Sequence, residues 1–131
     1  MSEQNVAQRA AAVVEKSQRA LASGDVEGYV SCFTPDAFLS DPLAPSMVGH
    51  EAIRQGVQKL VGLFSKIELQ ELKLFPVGRT VAFLARVHFV THHGREATME
   101  SVDVFELNED FRIFKGNAYY DVAPMLKLLQ E

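Results

Sequence analysis

Residues 80–107 read TVAFLARVHFVTHHGREATMESVDVFEL, two runs of alternating apolar and polar side chains that meet near the dipeptide His93-Gly94. Alternation with period two is the spacing of a β-strand, and a glycine supplies the positive φ of a tight turn at little cost. The stretch therefore predicts a β-hairpin, with strands from Thr80 to Thr91 and from Glu96 to Leu107 joined through His93-Gly94.

Reading outward, period two begins before the hairpin, with Ile67, Leu69 and Glu71 alternating against Glu68, Gln70 and Leu72. After it, Asn108-Glu109-Asp110 predicts a turn, Phe111 to Asp121 a last strand, and Met125, Leu126, Leu128 and Leu129 a closing helix. The first half has a different period. Val6, Ala10, Val13, Val14, Ser17 and Leu21 fall on one helical stripe that ends at Gly24. Asp25 caps a second, shorter helix through Tyr29 and Phe33, and Pro35-Asp36 turns the chain into a short strand, Ala37 to Leu39, closed by Ser40-Asp41-Pro42. A Pro- and Ser-rich loop leads to Gly49-His50-Glu51, and Ile53, Val57, Leu60, Val61 and Phe64 mark a third helix. Helices first and a meander after is an α+β order.

The chain has 131 residues, 47% of them hydrophobic and 23% charged, enough for one core and too few for two ordinary domains. A single domain over 1–131 is expected. No long apolar run or basic-then-apolar leader is visible, so no membrane association and a cytoplasmic location are expected. Thirteen basic and seventeen acidic residues leave a net charge of -4, and the basic ones are scattered, which gives a nucleic-acid backbone nothing to bind. The single cysteine, Cys32, makes neither a disulfide nor a thiolate metal site, and it reads as a buried core residue. No phosphate loop or metal motif appears, so no cofactor and no metal are expected, and any chemistry comes from side chains.

On the second hairpin strand, Met99, Ser101, Asp103, Phe105 and Leu107 share a face. A carboxyl on a mostly apolar face needs a partner or a raised pKa. On the first strand, Leu84, Arg86 and His88 oppose Val81, Phe83, Ala85 and Val87. Taken alone, that strand sends Arg86 and His88 to solvent; a two-residue turn at His93-Gly94 would instead set Leu84 opposite Asp103, Arg86 opposite Ser101 and His88 opposite Met99. Both arrangements stay open at this level. Asp41, before Pro42, is driven to an extended conformation at a strand end, where its carboxylate suits the following turn.

Ser23-Gly24-Asp25-Val26-Glu27, Asp36-Ala37, Ser40-Asp41-Pro42, Gly49-His50-Glu51-Ala52-Ile53, Ser101-Val102-Asp103-Val104 and Ala118-Tyr119-Tyr120 together resemble the ketosteroid isomerases and their SnoaL-like relatives, which include polyketide cyclases. The likeness runs over nearly the whole chain. It implies the nuclear transport factor 2-like fold, a cone in which a curved antiparallel sheet and three N-terminal helices enclose one deep pocket, and a homodimer formed through the outer face of the sheet, where Val102 and Val104 would lie. By the same resemblance Asp41 matches the general base, and Asp103 matches a protonated aspartate that donates a hydrogen bond to the oxyanion. That enzyme is itself the standard example of a carboxylic acid kept neutral in an apolar site.

The chain departs from the pattern at the oxyanion tyrosine, which falls on Ser17, and at two supporting tyrosines, which fall on Phe33 and Val57. Loss of one oxyanion donor typically costs about 2.7–4 kcal/mol. The rest of the implied pocket is Leu84, Met99, Phe105, Ala118 and Tyr120, with Arg86, His88 and Ser101 making it more polar. An Arg86 beside Asp103 would favour the ionised carboxylate, and His88 with Asp103 would then form the acid–base pair of a SnoaL-like cyclase closing a ring by an aldol step. Three functions follow: a cofactor-free acid–base enzyme on a small hydrophobic or partly polar carbonyl compound, of isomerase type; a cyclase; or a non-catalytic ligand-binding module on the same cone. Epoxide hydrolysis of the limonene type ranks last, because it wants Arg-x-Asp where this chain has Arg86-Val87-His88.

Overall fold

The computed structural model describes residues 2–130. Helix α1 (Glu3–Ser23) starts at Ser2, whose hydroxyl accepts from the Asn5 amide, and stops at Gly24, which takes φ +78° and returns its N–H to the carbonyls of Ala20 and Leu21. Both ends thus satisfy backbone groups that the helix leaves over. Asp25 caps the short helix α2 (Val26–Val30) through the Gly28 amide. Strands β1 (Phe33–Asp41) and β2 (Ala44–Val48) follow, then helix α3 (His50–Gly62), strands β3 (Phe64–Val77), β4 (Thr80–Thr91), β5 (Glu96–Leu107) and β6 (Ile113–Tyr119), and helix α4 (Val122–Leu129). The six strands form one curved, unclosed sheet in the order β2-β1-β6-β5-β4-β3, with the helices lining its concave side.

Four differences from the sequence reading have physical causes. Phe33 opens β1 instead of closing the second helix, because Pro35 holds Thr34 out of the helical region. The Pro- and Ser-rich segment contains β2, and its Pro45 is tolerated because β2 is an edge strand that needs few ladder donors. β1 pairs with β2 in antiparallel fashion but with β6 in parallel, so the sheet is mixed.

The fourth difference concerns the β4–β5 turn. Thr91 N–H bonds Arg95 O at 2.7 Å, Gly94 N–H bonds Thr91 O at 3.0 Å, and Gly94 sits at φ +83°. The loop is therefore His92-His93-Gly94, one residue longer than a two-residue turn. That single residue moves every pair by one: Phe83 faces Asp103, Ala85 faces Ser101 and Val87 faces Met99. A one-residue shift exchanges the faces of a strand. Leu84, Arg86 and His88 are consequently on the outer, convex face opposite Val102, Glu100 and Thr98, away from Asp103.

The concave face holds two apolar clusters. In the first, the Phe105 ring meets Phe83 edge-on at 5.0 Å and Phe33 at 5.9 Å, with Val14, Ile53, Val57 and Ile113 packed around them. The second joins Phe64, Phe89 and Met99 to Met125 and Leu128 of α4. Phe105 lies directly over Gly116 of β6, where an added Cβ would come within 2.8 Å of the ring and 2.9 Å of Leu39. Gly116→Ala is therefore expected to destabilise the fold by about 1–3 kcal/mol through overpacking. The urea midpoint should fall at unchanged slope; an unchanged midpoint would show that the Phe105 ring can move aside.

Candidate functional site

Asp103 and Ser101 lie between the two clusters. Along the inner side of β5, Phe105 and Leu107 belong to the first cluster, and Ala97 and Met99 to the second. Asp103 is only 9% exposed, and the Ser101 hydroxyl donates to its Oδ1. Ser101, Met99, Ala118 and Tyr120 are each partly exposed.

Asp41 enters from β1. Parallel pairing sets Leu39 against Gly116 and Ser40 against Asn117, and the next residue of β6, Ala118, pairs on its other side with Asp103. Tyr120, two residues beyond Ala118, bonds Asp41, so the end of β6 links the two aspartates.

Asp41 accepts from Tyr120 Oη at 2.7 Å and from the Leu43 amide at 2.9 Å. The second bond is the turn role that an aspartate before proline suggests; the first ties it to the site. Both bonds fall on Oδ1, and Oδ2 takes neither.

Burial sets the titration of Asp103. Burial pushes the Asp103 carboxyl up to about 7, the charge of Asp41 pushes the same way, and the Ser101 hydroxyl opposes both. Asp103 is thus substantially protonated near neutral pH and carries a proton to donate. Burial, and then the bond to Asp41, raise the Tyr120 phenol, which stays a donor.

Of the remaining sequence candidates, Phe33, Val57 and Phe105 are buried in the first cluster and shape it without offering a polar group. Ser17 is fully buried, but its hydroxyl donates to the Val14 carbonyl of its own helix at 2.6 Å and is not free to act on a ligand. Arg86 is engaged on the convex face by Glu71 at 3.1 Å and Glu100 at 3.0 Å. The His88 ring nitrogens meet Thr98 Oγ1 at 2.8 Å and Glu96 Oε1 at 2.9 Å. Arg86, His88 and Leu84 are therefore removed from the pocket, and with them the expectation of an ionised Asp103 paired to Arg86 or acting with His88.

Tyr29, read in the sequence only as part of the second helix, faces the core. It stands on the inward stripe of α2, 4% exposed, with its ring 4.9 Å from Phe33. Burial and then the charge of Asp103, with Asp41 contributing less, raise its phenol. The spacing Val26, Tyr29, Val30, Phe33 was legible as a helix face, and Tyr29 is the only tyrosine before Tyr119.

Two surface depressions, of about 420 and 480 Å³, lie elsewhere. One is bounded by Arg79, Glu106 and Phe114, the other by Thr34, Asp36 and Arg112; neither is lined by Asp41 or Asp103. Among the described residues no group of three or more metal-ligating side chains converges, and no helix is long and apolar enough to cross a membrane.

Residues 14–115 match the SnoaL-like domain family. Among solved structures, a candidate polyketide cyclase from Xanthomonas campestris pv. campestris superposes with a TM-score of 0.86 at 18% identity, over 95% of this chain and 98% of that one. A nuclear transport factor 2-like protein of unknown function from Burkholderia pseudomallei K96243 gives 0.84 at 18%, over 94% and 98%. TerC, co-crystallised with polyporic acid, gives 0.82 at 15%, over 94% and 99%. At such identities the structures speak for the fold alone. The family match spans most of the chain, so this protein belongs to the SnoaL-like domain family, and its fold is the one seen in nuclear transport factor 2-like structures.

Proposed function

We propose that the protein is a cofactor-free acid–base enzyme that removes a proton next to the carbonyl of a small, largely apolar compound and passes through an enolate. The observation that carries this reading is a pair of carboxyls on one concave face whose surroundings differ: Asp103 buried and protonated near neutral pH, Asp41 at a strand end and held by Tyr120. In this reading the buried carboxyl serves as the acid and the one at the strand end as the base.

Asp41 takes the α-proton on Oδ2, since Oδ1 is occupied by Tyr120 and Leu43. The electron pair of the broken C–H bond moves into the C–C bond, and charge develops on the carbonyl oxygen. Asp103 donates its proton in a hydrogen bond to that oxygen, a bond that strengthens as the charge grows. Return of the proton from Asp41 to a different carbon completes an isomerisation.

A cyclase reading uses the same first step, after which the enolate carbon attacks a second carbonyl of the substrate and closes a ring, while the oxygen of that carbonyl takes the electron pair and then the proton held by Asp41. The likeness to a structure described as a candidate polyketide cyclase favours it. In both readings the apolar rim of Phe89, Met99 and Tyr120 receives the hydrocarbon part of the ligand. A homodimer through the convex face accompanies the reading, supported by the exposure of Val102 (48%) and Tyr119 (58%) on that side.

The test is deuterium exchange from solvent into the α-position of β,γ-unsaturated cyclic ketones, a steroid among them, followed by proton NMR. Asp41→Asn should slow wild-type exchange by roughly 10²–10⁴-fold, the usual worth of a positioned base. No exchange above the buffer rate in wild type would overturn the reading in favour of a binding module.

A second expectation concerns pH. The hydrogen on Asp103 is present below its pKa and lost above it, so kcat/KM should fall as pH rises through about 7. Asp103→Asn, whose amide donates at every pH, should flatten that alkaline limb; an unchanged limb would show that another group titrates.

A further inference from the structure

Asp103 has one hydrogen-bonding neighbour, and the mechanism above gives that neighbour no task. Among the described residues Ser101 is the only side chain that bonds the carboxyl; its hydroxyl donates to Oδ1 and makes no other hydrogen bond. The facing residues offer nothing comparable. Phe83 and Ala118 lie opposite Asp103, Ala85 lies opposite Ser101, and the Ser17 hydroxyl of α1 is committed to the Val14 carbonyl.

Residues two apart on a strand share a face and stand about 7 Å apart, so a serine at 101 sits directly beside an aspartate at 103. β5 is paired with β4 at both residues and with β6 at Asp103, which fixes the backbone that carries the contact. A protonated carboxyl has one hydrogen to give and keeps acceptor capacity on its other oxygen. Because Oδ1 receives the Ser101 hydrogen, the carboxyl hydrogen belongs on Oδ2. That oxygen has no partner among the described residues, and the only sealed side-chain polar atom without a partner there is Thr34 Oγ1, so Oδ2 is not sealed.

The surroundings leave the serine as the one group that opposes protonation. Burial and the charge of Asp41 raise the Asp103 carboxyl, and the Ser101 bond works against both. The other titratable groups of this face are the phenols of Tyr29 and Tyr120, both raised and so uncharged, and the side chains that α4 buries here are Met125 and Leu128.

We propose that Ser101 is the positioning residue for the acid of this site: by holding Oδ1 it keeps the proton on Oδ2, where a ligand oxygen can receive it. The proposal rests on the enolate reading above and adds to it the residue that directs and tunes the acid.

Ser101→Ala removes the hydroxyl, and Ser101→Thr keeps it with one added methyl at a half-buried strand position. By carbon NMR of aspartate-labelled protein without substrate, the Asp103 midpoint should rise by roughly one pH unit in Ser101→Ala, because the ionised form loses its donor, and return to the wild-type value in Ser101→Thr. In the ketone exchange assay the alkaline fall of kcat/KM should move up with that midpoint, while kcat on the acid side of the limb drops roughly tenfold at little changed KM, the worth of one hydrogen bond. An unchanged midpoint in Ser101→Ala would overturn the proposal. So would a threonine variant that behaves like the alanine one, since packing and not the hydroxyl would then be at work. A raised midpoint with an unchanged acid-side kcat would overturn the positioning role. A raised midpoint in Ser101→Ala, restored by threonine, in a protein whose wild type exchanges no proton would support Ser101 as the residue that places the proton and overturn the enolate reading alone.

Discussion

The register of one hairpin governs the rest. Three loop residues, His92-His93-Gly94, join β4 to β5, and the positive φ of Gly94 closes the turn. With that loop, Asp103 faces Phe83 on the concave side and Arg86 faces Glu100 on the convex side. One residue fewer would put Arg86 on the same face as Asp103, and the guanidinium would hold the carboxyl ionised. The protonated acid, its separation from Asp41 and the apolar rim all depend on this choice of face.

Burying a carboxyl between two apolar clusters is costly in its ionised form, and the chain meets that cost by leaving Asp103 protonated. The neighbours are consistent with this. Ser101 supplies a hydroxyl beside it, and its partners on the adjacent strands are Phe83 and Ala118, neither of them a cation. Cations on this part of the sheet are instead used outside, where Arg86 joins Glu71 and Glu100 in exposed pairs that contribute little to stability.

Much of this was legible in the sequence. Period two from Ile67 onward and the helical stripes before it gave the α+β order, and Gly24 and Asp25 marked helix ends where the structure has them. Asp103 was visible as a carboxyl among Met99, Phe105 and Leu107. The face of Arg86 and His88 was not legible, because two-residue and three-residue loops around Gly94 fit the same letters and give opposite answers. β2 was hidden because proline reads as loop unless one knows that the strand is an edge. The contact of Tyr29 with Phe33 was not legible, because a helix stripe carries no information on what its side chains meet across the core.

The most direct measurement is the titration of the Asp103 carboxyl itself, by carbon NMR of protein labelled at aspartate, with Asp103→Asn to assign the signal. The account predicts a midpoint near 7, well above an ordinary aspartate. A midpoint near 4 would mean that Asp103 is ionised at neutral pH, and the oxyanion donor on which the proposed chemistry depends would not exist.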